Sequence, residues 1–98
     1  MQLSYASLPT LEKLRFHVHR TLCARERLDP DSTPLQEARL VRRGRLCGLF
    51  FQVQGPRLLR THAIWACDEN RILFYDSAGL RFAETRLSES PDAHEMAA

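Results

Sequence analysis

The sequence predicts an α+β fold: one N-terminal amphipathic helix packed on a five-stranded antiparallel β-meander. Three observations carry that reading. Apolar residues recur at steps of three and four between residues 8 and 22, a polar Pro-containing loop follows at Asp29–Pro34, and period-two alternation broken by turn residues runs from Leu35 onward. Ninety-eight residues, 44% hydrophobic and 27% charged, support one core and exclude a barrel or a doubly wound sheet. The expected domain spans residues 1–87, with a flexible polar tail over 88–98.

The helix is read from Leu8, Leu11, Leu14, Val18 and Leu22, which share one face at 3.6 residues per turn. Ser7 or Thr10 supplies the cap, and Pro9 is tolerated because early helix amides have no intrahelical partner. Pro30 disfavours a helical conformation in the residue before it, so the helix ends by Asp29.

Five strands follow: Leu35–Arg42, Arg45–Gln54, Leu58–Cys67, Ile72–Asp76 and Leu80–Leu87. The connections between them are too short for parallel crossovers, so they make hairpins. A two-residue turn at Arg43-Gly44 pairs Arg42 with Arg45 and sets Leu40 against Cys47. The following loops set Val53 against Leu59, Cys47 against Trp65, Cys67 against Ile72, and Phe74 against Phe82. One face then collects Ala38, Leu40, Cys47, Leu49, Phe51, Val53, Leu59, Ala63, Trp65, Ile72, Phe74, Leu80 and Phe82 as the wall beneath the helix.

The opposite face carries Arg39, Val41, Leu46, Phe50, Gln52, Leu58, Arg60, His62, Ile64, Leu73, Tyr75, Arg81, Ala83 and Leu87. A solvated sheet face is mostly polar, whereas this one is about half apolar with arginine between. One helix cannot cover two faces. The pattern therefore points to a contact surface, and for a chain this short a second copy would supplement a limited core.

Catalytic and metal chemistries find little footing. Structural zinc needs closely spaced ligand pairs, and Cys23, Cys47 and Cys67 are widely separated. His17 and His19 project roughly 160° apart on a helix and cannot share an ion. No glycine run cradles phosphate, no nucleophile sits in a Gly-flanked elbow, and the acids gather in turns and the tail. We therefore expect no enzyme activity, no metal and no cofactor. An odd number of cysteines, the lack of a secretion signal and the lack of a membrane-length apolar run together predict a cytoplasmic protein that does not enter membranes.

Charge is unevenly placed. Thirteen of the 14 basic residues are arginine. Residues 35–67 hold six arginines and one glutamate, a net +5, while residues 68–98 hold three arginines and seven acids, a net −4. Arg39, Arg42, Arg43 and Arg45 crowd the first hairpin, where arginine's fork suits phosphate or carboxylate.

Two functions follow as expectations. The first is a small non-catalytic binding module that acts through the open sheet face by homodimerisation or protein–protein interaction. Phe50, Leu58, Ile64, Leu73 and Tyr75 would be its apolar anchors, with Arg60 and His62 among them and Arg39 also orienting the partner. The alternative is RNA or single-stranded DNA binding through Arg39, Arg42, Arg43 and Arg45 together with the same face. Phe16 and Cys23, off the helix stripe, form a fallback contact site.

Overall fold

The computed structural model describes residues 1–92. Strand β1 (Gln2–Ser7) precedes helix α1 (Leu11–Arg25), and five strands follow: β2 (Gln36–Arg42), β3 (Arg45–Gln54), β4 (Arg60–Ala66), β5 (Arg71–Tyr75) and β6 (Arg81–Glu89). A short 3-10 turn at Pro56–Leu58 joins β3 to β4. The fold is α+β with one helix, but the sheet is six-stranded and mixed, in the order β1-β6-β5-β4-β3-β2. The five expected strands form an antiparallel meander, and β1 adds to β6 in parallel. The helix is therefore the second element, not the first. A parallel partner for β6 needs a long crossover, and the whole meander supplies it.

Thr10 caps α1, its hydroxyl accepting from the Lys13 amide at 3.2 Å. The helix ends at Arg25, inside the limit set by Pro30. Leu14, Val18 and Leu22 are wholly buried against Leu49, Phe51, Val53, Ala63, Trp65, Ile72 and Phe74. Burying a side chain of this size contributes about 1.5–3 kcal/mol, so this two-layer contact is the main stabilising element of the domain. Arg15 reaches down to Glu37 on β2 with a two-pronged ion pair at 2.7 and 2.9 Å. His19 Nε2 donates to the Thr33 carbonyl at 2.6 Å and ties the connecting loop to the helix. Cys23 is buried rather than presented on the outer side, so of the two fallback residues only Phe16 is exposed.

The two-residue Arg43-Gly44 turn forms as expected. Both residues have positive φ, 52° and 76°, the twist that a tight hairpin requires, and Arg42 pairs with Arg45. Beyond it the register differs in two ways. First, β4 is displaced by two residues against β3, so that Leu49 rather than Cys47 faces Trp65. It is displaced by two against β5 as well, so that Trp65 rather than Cys67 faces Ile72. A slip of two preserves the face of every side chain, and the inner wall of β3, β4 and β5 stays as expected.

Second, bulges between Leu40 and Val41 and between Phe74 and Tyr75 each shift the pairing by one residue. A shift of one exchanges the faces. Ala38 and Leu40 thereby pair with Phe50 and Gly48 on the open side, while Arg39, opposite Leu49, moves to the helix side. On β6 the inward residues become Ala83, Thr85 and Leu87, with Phe82 only half-buried at the bulge. Leu59 and Leu80, read as core, are exposed in turns.

Gly48 marks the closest approach of β3 and β4. A Cβ there would run into the carbonyl oxygen of Trp65, so this strand position admits glycine alone without moving backbone. Strand β6 continues through Glu89, which makes Ser88 and Glu89 part of the sheet rather than of the tail. Residues 93–98 of the expected tail lie outside the described residues.

Candidate contact face of the sheet

The face turned away from α1 carries the side chains of Phe50 and Gln52 on β3, Arg60, His62 and Ile64 on β4, and Leu73 and Tyr75 on β5. Direct pairs place Phe50 beside Ile64, Ile64 beside Leu73, and His62 beside Tyr75. Five of the expected contact residues are thus brought into one patch: Phe50, His62, Ile64, Leu73 and Tyr75. Arg60 stands exposed at the end of β4, opposite Gln54.

Leu58 does not join them. It lies in the 3-10 turn with φ of 63° and is 72% exposed, because the loop is longer than a simple hairpin and β4 begins two residues later. Arg39 is also off the face, because the bulge between Leu40 and Val41 turns it to the helix side. Arg42, Arg43 and Arg45 line a shallow depression of about 480 Å³ at the hairpin tip. Among the described residues none of these three makes an ion pair within 4.0 Å.

Three rings cross the patch as a ladder. The Phe50 and His62 centroids are 5.4 Å apart at 27°, and those of His62 and Tyr75 are 4.8 Å apart at 10°. Such stacking across neighbouring strands follows from the inter-strand spacing, which brings side chains on one face to ring-contact distance. The Arg81 guanidinium caps the series, 5.7 Å from the Tyr75 ring, with Nη2 donating to the Tyr75 hydroxyl at 3.4 Å. His62 has both ring faces occupied, and burial there pushes its pKa below the ordinary histidine value.

Next to the ladder is a feature that the sequence reading did not single out. The Glu84 side chain is only 4% exposed, yet it is ringed by arginines. Arg86 Nε lies 2.9 Å away, Arg71 Nη1 3.5 Å and Arg81 Nη1 3.9 Å. The hydrogen bond from Arg86, with the field of the other two arginines, holds the carboxyl below its usual range. With Glu69 also 2.6 Å from Arg71, three cations meet two anions, and this end of the face keeps a net positive charge of one. The Glu84–Arg86 spacing of two was a legible sign of a same-face ion pair. The convergence of Arg71 and Arg81 depends on the bulge in β5–β6, which no local pattern announces.

Among the described residues, no group of three or more histidine, cysteine, aspartate or glutamate side chains is placed to hold a metal ion. No helix among them is long and apolar enough to cross a membrane. The fold and the face define a class, a small α+β protein with one sheet face that no helix covers among the described residues. Beyond that class no family model matches the chain, and neither curated proteins nor solved structures provide a match.

Proposed function

We propose that this chain is a non-catalytic binding module whose open sheet face packs against the same face of a second copy. The observation that carries the reading is the self-stacked ladder Phe50–His62–Tyr75 on a sheet face that no helix covers among the described residues, with half-buried Ile64 and buried Leu73 beside it. Rings stacked on one another present their edges outward, and an edge-lined apolar ridge suits packing against a second ridge. Six strands about 4.8 Å apart and about 20 Å long give a face of about 500–600 Å². Two such faces together bury about 1,000–1,200 Å², which meets the lower bound of about 1,000 Å² for a specific interface. A two-fold axis between β4 and β5, the centre of the sheet, would lay the full face of each copy on the other and bring the two ring ladders together. The three unpaired cysteines fit a reducing compartment, so the cytoplasm is part of the same proposal.

The same geometry weighs against base stacking, the core of the nucleic-acid reading. A base needs a free ring face, and those of His62 are taken by Phe50 and Tyr75, while Arg81 covers Tyr75. What favours that second reading is the cluster of Arg42, Arg43 and Arg45 at the hairpin tip, none of which makes an ion pair within 4.0 Å among the described residues. It requires an oligonucleotide affinity that falls steeply with salt and disappears in Arg42→Glu/Arg43→Glu.

Light scattering tests the principal reading. The wild type should give about twice 11.3 kDa at tens of micromolar, and Phe50→Asp or Ile64→Glu should return it to one chain without loss of fold. Leu58→Asp, off the face, should leave the dimer intact. A monomeric wild type, or equal effects of Phe50→Asp and Leu58→Asp, would overturn it.

A further inference from the structure

We propose that the outer edge of β1 and the trough beside α1 together accept an extended peptide segment of alternating apolar and acidic residues as a seventh strand. The two sheet edges are built differently. Strand β2 carries Glu37, Arg39 and Arg42, the charges that commonly protect an edge. Strand β1 reads Gln-Leu-Ser-Tyr-Ala-Ser, with no charge in six residues, and no strand pairs with its outer side among the described residues. Its Leu3 and Tyr5 are 42% and 71% exposed. An uncharged edge with free backbone groups is a template for strand addition.

Side-chain recognition would come from the helix layer. Helix α1 stops short of β1: Gln2 and Ser4 are exposed while their partners Ala83 and Thr85 are buried. The space beside the helix is a cavity of about 450 Å³ lined by Leu8, Glu12, Lys13, Phe16, His17 and Arg20. It meets, at Arg20 and Thr21, a second depression of about 650 Å³ that reaches Gln2 and Ala83. Every second side chain of an added strand would point to this helix side, and the others would lie beside Leu3 and Tyr5.

Charge selects the occupant. Lys13 and Arg20 border the trough and make no ion pair within 4.0 Å among the described residues, and Glu12 is the one acid in the lining. Arg20 lies 5.3 Å over the Phe16 ring, so an apolar wall and a cation occupy the same stretch. Carboxylates on the helix side therefore fit Lys13 and Arg20, with their methylene stems against Phe16 and Leu8, and the apolar side chains on the other face lie beside Leu3 and Tyr5. A second copy paired through β1 would supply no carboxylate to either cation from its own uncharged β1. The site is separate from the open face, and its test is independent of the dimer.

The probes are a labelled seven-residue Glu–Val alternating peptide, its Lys–Val counterpart and a Glu–Val peptide with a central proline, titrated into the full chain. The Glu–Val peptide should bind at least about tenfold tighter than either control. Lys13→Glu/Arg20→Glu should reverse the charge preference, while Phe50→Asp should leave binding unchanged. Backbone amides of Leu3–Ala6 should gain protection from exchange on binding. Equal binding of the Glu–Val and Lys–Val peptides, no binding at millimolar peptide, or protection at β2 instead of β1 would each overturn the proposal. So would a dimer that Leu3→Lys separates and Phe50→Asp does not, since the edge would then belong to a second copy.

Discussion

Thr85→Val tests how β1 is held to the rest of the domain. Thr85 Oγ1 is buried on β6, 3.0 Å from Ser4 Oγ and 3.1 Å from His17 Nε2, so one hydroxyl joins the first strand, the last strand and the helix. Valine keeps the shape and the β-branch and removes the hydroxyl. A hydrogen bond contributes about 1 kcal/mol net, and a buried group left without its partner costs about 1–3 kcal/mol. Ser4 is exposed and turns to water, whereas the half-buried His17 ring loses its partner. The added methyl offsets part of the loss, which leaves an expected destabilisation of about 1.5 kcal/mol. For a domain of this size that lowers Tm by about 6–12 °C. Urea unfolding followed by the single tryptophan, Trp65, should show a lower midpoint at unchanged slope. Ser4→Ala in the Thr85→Val background should add less than it does alone. A Thr85→Val protein within about 0.3 kcal/mol of wild type would refute the three-way tie.

Three further outcomes follow from local geometry and titration. Gly48→Ala should cost about 3 kcal/mol or more, because the new methyl meets the Trp65 carbonyl and cannot be relieved by a side-chain rotation. Gly44→Ala, in open space at positive φ, should cost only about 1–2 kcal/mol, so the two denaturation midpoints should rank in that order. Burial lowers the pKa of both His17 and His62, so the unfolded chain binds protons first. Stability should therefore fall as pH drops below about 6.5, the unfolded histidine value, and level off beneath the folded values. Glu84, whose folded pKa is depressed, adds a second loss as pH falls through the unfolded carboxylate value toward its own. Glu84→Gln should remove that second phase from a pH series of urea midpoints.

The meander was legible because its signals are local. Alternation over Arg45–Gln54 and Arg60–Ala66, and turn residues such as Arg43-Gly44 and the Gly79 position with φ of 82°, set strand existence and direction. Strand β1 escaped notice for a physical reason. Its larger apolar members Leu3 and Tyr5 face the open side, so only Ala6 ties it to the core, and its partner lies some eighty residues away. Phe50, His62, Ile64, Leu73 and Tyr75 lie on the face away from the helix, as expected, for the same reason as the core wall, since slips of two residues do not change sides. Arg39, Ala83 and Leu87 were placed on the wrong side by two bulges, each a single extra residue.

By itself the sequence determined one helix with a Leu14–Val18–Leu22 stripe, a set of antiparallel hairpins, and an apolar outer patch of Phe50, Ile64, Leu73 and Tyr75. These depend on periodicity and turn chemistry, which act over a few residues. The tertiary structure alone decided the parallel addition of β1, the ring of arginines on Glu84 and the trough beside α1 whose second part reaches Gln2 of the first strand. Each of these arises where distant segments meet at a bulge or an edge. One residue of register there changes which side chains share a face, and only the packed chain fixes that register.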